Sequence, residues 1–156
     1  MDSFTGSVTV LSPLDYESAR SYRLVVRVQD GGTPSRSNTT QLLVNVLDIN
    51  DNDPKFYTSL FHETVPENVP ISHSIVRVQA YDADDGPNAE ISYTLSSAEH
   101  ADLPMRIDDI TGWIVTTREL DREESANYNF QVIARDHGSP ARSATATILL
   151  RVQDCE

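Results

Sequence analysis

Acidic and amide side chains are grouped in this chain, and the densest group is the segment 48–54, which reads Asp-Ile-Asn-Asp-Asn-Asp-Pro. Asp and Asn at alternating positions offer carboxylate and amide oxygens, and the peptide carbonyls between them are further acceptors. A hard cation such as Ca²⁺ takes roughly six to eight oxygen ligands at about 2.4 Å. The spacing therefore predicts a divalent-cation site at this segment.

Two further acidic pairs have the same two-residue spacing, Asp15 with Glu17 and Asp82 with Asp84. In an extended segment the two members of such a pair point to one face. The second pair precedes a predicted sharp turn that ends at Asn88 and leaves its backbone carbonyl available. Carboxylates brought together without a cation would repel each other or take up protons. A bound cation would remove that conflict.

The net charge of the chain argues against two kinds of binding partner, nucleic acid and anionic membranes. Twenty-four Asp and Glu against twelve Lys and Arg give a net charge of -12, which opposes binding to nucleic acid and to anionic membrane surfaces.

The single cysteine, Cys155, allows no intramolecular disulfide and no cysteine-based zinc site. Apolar runs are too short to span a bilayer. No nucleophile elbow, phosphate loop or HExxH motif is present, so we expect no enzyme and no small-molecule substrate.

The chain contains an internal repeat. Motifs in its first part recur without a gap 106 residues later. Residues 55–156 therefore form one nearly complete unit. Residues 1–54 are expected to be the last half of a preceding unit plus its connector. Residues 1–47 are expected to be poorly ordered when alone, or to borrow a partner. The matching motifs are Thr5-Gly6 with Thr111-Gly112, Leu14-Asp15-x-Glu17 with Leu120-Asp121-x-Glu123, and Asp30-x-Gly32-x-Pro34 with Asp136-x-Gly138-x-Pro140.

Alternating apolar residues predict strands at 56–63, 75–81, 91–96, 113–117, 128–135 and 143–152, with a short one near 105–108. Trp113 is expected in the core. About seven short strands in roughly 100 residues predict an all-β fold, an immunoglobulin-like Greek-key sandwich repeated in tandem. Asn38-Thr39-Thr40 is an N-glycosylation sequon on a predicted hairpin between strands, as in a secreted glycoprotein.

These motifs together resemble the extracellular repeats of cadherins, over nearly the whole chain. The resemblance rests on Pro66-Glu67-Asn68, Asp82-Ala83-Asp84, Leu120-Asp121-Arg122-Glu123, Ala134-Arg135-Asp136 and the connector 48–52. Among cadherins, the sequence is more similar overall to the long non-classical cadherins of the Fat, Dachsous or protocadherin kind than to the classical ones. An EF-hand is excluded, because Asp53 would stand at the glycine position of the loop and Ser59 at the bidentate glutamate position.

The resemblance implies about three Ca²⁺ ions between successive repeats. Their ligands at the first site would be Asp15, Glu17, Asp48, Ile49, Asn50, Asp51, Asn52, Asp82, Asp84, Asn88 and Asp136. A second, incomplete site would hold Glu67, Asp121, Glu123 and Asp154. Glu156 stands where the family's connector has Asn.

The expected function is calcium-dependent cell–cell adhesion, in which bound ions make a string of repeats rigid. The expected partners are other cadherin ectodomains on neighbouring cells, homophilic or heterophilic, at the extracellular side of the plasma membrane. This part of the chain would not itself contact the membrane. Two alternatives stay open from the residues alone: a metal-free immunoglobulin-like ligand-binding module and, more remotely, an enzyme that uses a divalent metal.

Overall fold

The computed structural model describes residues 1–155, which divide into two compact units, Met1–Ile49 and the segment from Asn50 onward. Strands dominate both units. Within residues 1–155 no helix is long and apolar enough to cross a membrane.

The first unit is built around one antiparallel hairpin, β1 (Ser21–Gln29) with β2 (Ser37–Asn45). β-branched and long aliphatic side chains alternate along both strands, which favours extended backbone. The inner row includes Tyr22 and Leu24, yet these side chains are 39% and 38% exposed. None of residues 1–49 is buried. This hairpin therefore presents an uncovered apolar face.

Within residues 50–155 the second unit contains nine strands. They are β3 (Lys55–Phe56), β4 (Leu60–Pro66), β5 (Ser74–Arg77), β6 (Ala80–Tyr81), β7 (Ile91–Ser96), β8 (Met105–Ile107), β9 (Trp113–Thr116), β10 (Asn127–Asp136) and β11 (Ser143–Gln153).

One sheet of this unit has the order β4-β11-β10-β7, with β4 parallel to β11 and the other pairs antiparallel. The opposing strands form an antiparallel sheet β5-β9-β8 and the short pair β3-β6. The two layers enclose one apolar core, in which Phe130, Ile148 and Ile114 are at most 1% exposed. This is the all-β sandwich that the sequence predicts.

The turn before β9 requires a glycine. Gly112 has a φ of +77°, and a Cβ there would collide with the backbone carbonyl of Val78. Its repeat partner, Gly6, has a φ of +73°. Just upstream of each glycine an aspartate closes the same turn: Asp108 Oδ1 accepts bonds from the amides of Ile110 and Thr111, and Asp2 Oδ1 does so from Phe4 and Thr5.

Three predictions about the second unit are wrong. The predicted single strand 75–81 is two strands, because β5 pairs with β9 whereas β6 pairs with β3. The predicted single strand 56–63 is two strands: β3 pairs with β6, and β4 pairs with β11 in the other sheet. Trp113 is 43% exposed and not in the core, because Ile114 and Thr116 are the inward residues of β9 and Trp113 alternates with them.

Candidate metal centre

The acidic segments of the second unit meet where several strands end. Asn50 and Asn52 lie on the connector before β3, and Asp82 and Asp84 follow β6 directly. Asn88 ends a short 3-10 turn, Gly86–Asn88, and Asp136 is the last residue of β10. Because these ends lie on one side of the sandwich, residues far apart in the sequence contact each other.

Asp136 is the most deeply buried member of this group, with 1% of its surface exposed. Its Oδ1 accepts hydrogen bonds from the backbone amides of Gly138 at 2.9 Å and Arg142 at 3.0 Å. The same oxygen accepts a third bond from Asn50 Nδ2 at 3.0 Å, and that nitrogen also donates to the carbonyl of Pro140 at 2.9 Å. The connector is thereby attached to the loop after β10.

Asp84, 8% exposed, attaches the connector at a second point. Its two oxygens accept bonds from Asn52, from the backbone amide at 3.1 Å and from Nδ2 at 2.6 Å. Asn52 Nδ2 also donates to Asp51 Oδ1 at 3.0 Å. One carboxylate oxygen of Asp51 and one of Asp84 lie within 4.8 Å of each other. Such a close pair of carboxylates is a natural place for a cation.

Three buried oxygens in this cluster accept no hydrogen bond from any residue in 1–155: Asn50 Oδ1, Asp82 Oδ2 and Asp136 Oδ2. A buried acceptor without a donor is costly, so such atoms require an explanation. Carboxylate and amide oxygens are the ligands that Ca²⁺ prefers. The donor set therefore fits a hard divalent cation.

Asp82 shows the electrostatic consequence of this arrangement. Burial raises the pKa of its carboxyl group, and the nearby charges of Asp84 and Asp136 raise it further, although a hydrogen bond from the Asp84 amide opposes them. Protonating a carboxylate and binding a cation are two ways to relieve the same repulsion. A bound calcium ion would favour the ionised form of Asp82 and so oppose this rise in its pKa.

Gly138 leaves the space that two of these side chains occupy. A Cβ at this position would overlap Asn50 Nδ2, and it would lie 2.6 Å from Asn50 Cγ and 2.9 Å from Asn88 Oδ1. Only glycine lets the side chains of Asn50 and Asn88 approach the loop after β10 so closely. The Asp-x-Gly-x-Pro repeat marked this position, but the spacing alone did not connect Gly138 with the connector.

The remaining residues predicted for the first site belong to the first unit. Asp15 Oδ1 accepts a bond from the Glu17 amide at 3.1 Å, and hydrogen bonds from Ser18 and Glu17 lower the pKa of Asp15. Asp48 is half-buried, and Ile49 is 66% exposed. The ligand roles expected for these four residues stay predictions.

The second predicted site is brought together in part. Single carboxylate oxygens of Glu67, Asp121 and Glu123 lie within 4.8 Å of one another. Asp154 instead forms an ion pair with Arg122, whose Nη1 is 3.2 Å from Asp154 Oδ2. The prediction for Glu156 lies outside the described residues.

The glycosylation candidate is accessible, although its predicted location is wrong. Asn38 is exposed, and it lies inside strand β2, opposite Val28, and not in the hairpin loop. Its Oδ1 accepts a bond from the Thr39 amide at 2.8 Å. Modification of Asn38 stays a prediction.

Comparison with known proteins places these features in a family. The cadherin domain family matches residues 1–47 and 61–153. The chain is 57% identical over 154 residues to the Drosophila melanogaster protocadherin-like wing polarity protein stan, covering 99% of this chain and 4% of the relative. It is 50% identical over 155 residues to human cadherin EGF LAG seven-pass G-type receptor 2, covering 99% of this chain and 5% of the relative.

Solved structures agree. The EC1-3 fragment of mouse clustered PcdhgC3 superposes with a TM-score of 0.86 at 35% identity, covering 92% of this chain and 46% of that one. The EC22-24 fragment of mouse Cadherin-23 gives 0.81 at 32% identity, covering 94% and 46%. This family consists of adhesion proteins and not enzymes, in agreement with the prediction that the chain has no enzymatic activity. The chain belongs to the cadherin family, and its two units are related to cadherin extracellular repeats.

Proposed function

We propose that this chain is a calcium-binding part of a cadherin ectodomain, in which the ion fixes the connector to the second unit. The observation that carries the proposal is the set of three buried oxygens without a donor, on Asn50, Asp82 and Asp136. Each belongs to a residue that the cadherin resemblance nominates as a ligand. Together with Asn52, Asp84 and Asn88, they supply enough oxygens for one Ca²⁺ ion.

The ion would act mechanically and not chemically. Asn50 and Asn52 lie on the connector, whereas Asp82, Asp84 and Asp136 lie on the body of the second unit. A cation shared among them adds strong ligand bonds to the few hydrogen bonds that hold the connector. The connector then loses its freedom to reorient, and a series of such units becomes a rod.

A rod of this kind suits adhesion between cells. The solved relatives include a protocadherin gammaB7 fragment described as a cis-dimer. By similarity, the parent of this chain would be displayed at the extracellular side of the plasma membrane and would contact other cadherin ectodomains, homophilic or heterophilic. This region spans only 4% to 6% of the relatives' lengths, so the partner of the whole protein is part of the proposal.

We further propose that residues 1–54 are the second half of a repeat plus its connector. Strand β1 pairs with β2 in the same register as β10 with β11, for example Tyr22 with Val44 and Tyr128 with Leu150. The side chains that β7 and the opposite sheet cover in the second unit are uncovered in the first. An apolar groove of about 650 Å³ runs along the hairpin.

The calcium proposal is tested by thermal unfolding in millimolar Ca²⁺ and in excess chelator. Trp113, the only tryptophan, reports on the second unit. Calcium at 100 times its dissociation constant stabilises by about 2.7 kcal/mol, which raises the midpoint by roughly 10–20 °C for a domain of this size. Asp84→Asn keeps the side-chain shape but removes the charge, and it should abolish most of this rise.

The matched control is Asp109→Asn, which removes an equal charge from an exposed aspartate in the turn before β9. It should leave the calcium-induced rise within about 2 °C of the wild-type value. Superimposed wild-type curves in calcium and chelator would contradict the proposal and would favour a metal-free module.

A further inference from the structure

Arg142 lies beside the candidate metal centre and was not among the residues predicted to act there. It follows the Gly138–Pro140 turn, just before β11. Its Nη1 is 2.9 Å from Asp53 Oδ1, the last acidic residue of the connector. Its backbone amide donates to Asp136 Oδ1 at 3.0 Å. One residue therefore contacts both the connector and a proposed calcium ligand.

The charge of Arg142 also acts on the rest of the cluster. Asp53 raises the pKa of the guanidinium most strongly, through a hydrogen bond and its charge, and Asp51 and Asp84 add to the effect through space. The Arg142 side chain is 41% exposed and that of Asp53 is 60% exposed. This guanidinium is a fixed positive charge within reach of carboxylates that a divalent ion would share.

We propose that Arg142 is a positioning residue that acts as a built-in counter-cation: it holds the connector in place when calcium is absent and weakens calcium binding when it is present. This inference rests on the proposed calcium site. Arg142 would not bind calcium itself, but it would raise the calcium concentration that the site needs in order to fill.

Two effects of opposite sign follow from the position of Arg142. Without calcium, the guanidinium offsets part of the repulsion among the connector carboxylates and attaches Asp53 to the loop before β11. With calcium, the same positive charge repels the ion. Both effects are electrostatic, so both weaken as salt is added.

The experiment measures calcium affinity by titration calorimetry, and the unfolding midpoint in chelator, for the whole chain and for Arg142→Gln. The variant should bind calcium about three- to fivefold more tightly at low ionic strength, and the gain should shrink in 0.5 M salt. Its midpoint in chelator should fall by about a few degrees, since an exposed ion pair contributes only a little to stability. Arg142→Lys, which keeps the charge, should bind calcium like the wild type.

Arg118→Gln is the matched control. It removes an ion pair of similar length, Arg118 Nη1 to Asp102 Oδ2 at 2.7 Å. The groups whose charges raise the pKa of Arg118 are Asp102, Glu124 and Tyr128, and none of them belongs to the connector. It should lower the midpoint slightly and leave calcium affinity unchanged. The proposal is overturned if Arg142→Gln binds calcium as the wild type does or more weakly. A wild-type chain that binds no calcium would refute the proposed function itself, which is a separate and visible result.

Discussion

Replacing Gly138 by alanine tests the geometry of the metal centre more severely than replacing a ligand. A single added methyl group would occupy the position of the Asn50 side-chain amide, 2.6 Å from its Cγ and 2.9 Å from Asn88 Oδ1. Asn50 must then move away from the loop after β10. Its bonds to Asp136 Oδ1 and to the Pro140 carbonyl cannot both survive.

The size of the effect follows from those two bonds. A hydrogen bond to a charged group contributes about 1.5–3 kcal/mol, and one to a neutral carbonyl about 0.5–1.5 kcal/mol. Alanine restricts the unfolded chain more than glycine does, which stabilises the fold by about 0.4–1 kcal/mol. Because Asn50 is only half-buried, water can form some of the hydrogen bonds that its side chain loses. The net destabilisation is therefore about 2 kcal/mol, or roughly 8–16 °C in the midpoint of a domain of this size.

The internal repeat supplies a control for this experiment. Gly32 stands at the matching position of the first unit, where an added Cβ would lie 3.1 Å from Asp30 Oδ1 and 3.2 Å from the Pro34 carbonyl. These tight contacts need shifts of only a few tenths of an ångström. Gly32→Ala should leave the midpoint that Trp113 reports within about 3 °C of the wild type, in calcium and in chelator.

Gly138→Ala should lower that midpoint in chelator and should lower it further relative to wild type in calcium, because Asn50 and Asn88 are both proposed ligands. Differential scanning calorimetry on the same samples checks that the unfolding stays cooperative. A midpoint within about 3 °C of the wild type under both conditions would refute the reasoning, since it would mean that the hydrogen bonds of Asn50 do not stabilise the fold.

Two further predictions concern charge and order. Because the pKa of Asp82 is higher in the folded than in the unfolded chain, its ionisation opposes folding at neutral pH, and this penalty disappears as the pH falls through the raised pKa. In chelator at pH 7, Asp82→Asn should therefore be more stable than the wild type by up to about 1 kcal/mol. The difference should shrink as the pH falls through the raised pKa of Asp82 toward the ordinary value of 3.8, and it should change sign in calcium. A variant less stable than the wild type in chelator would contradict this. Backbone amides of β1 and β2 should exchange at least about 100-fold faster than the matching amides of β10 and β11, as measured by hydrogen exchange and mass spectrometry, and equal rates would argue against an uncovered half-repeat.

The strands of the second unit were largely predictable, because their inward residues alternate without a break. β7, β9, β10 and β11 lie within one or two residues of the predicted runs. The predicted runs 56–63 and 75–81 were both wrong as single strands, and the first was wrong for a reason visible in its own residues. Phe56 and Phe61 both pack against the core, but they are five positions apart, and one alternating strand cannot direct both inward. The chain changes sheets between them.

The clustering of several candidate site residues was predictable from the sequence, whereas the residues around them were not. Repetition of Leu-Asp-x-Glu and Asp-x-Gly-x-Pro drew attention to the carboxylates, and the structure brings Asn50, Asp84 and Asp136 into one cluster. The role of Arg142 could not be read from spacing, because its contact with Asp53 spans 89 positions. Asp154 was assigned from the repeat alone, which carries no information about the competing guanidinium of Arg122.

The parallel pairing of β4 with β11 has a consequence for how this unit carries load. The two strands run side by side from Leu60 with Thr147 to Pro66 with Gln153, over seven residue pairs. The chain therefore enters the unit near the start of this ladder and leaves it near the end. Tension applied through the chain pulls the two strands past each other lengthwise, so their backbone hydrogen bonds are loaded together in shear and do not open one at a time. If the proposed adhesive function holds, pulling forces along the chain would load all seven residue pairs of this ladder together.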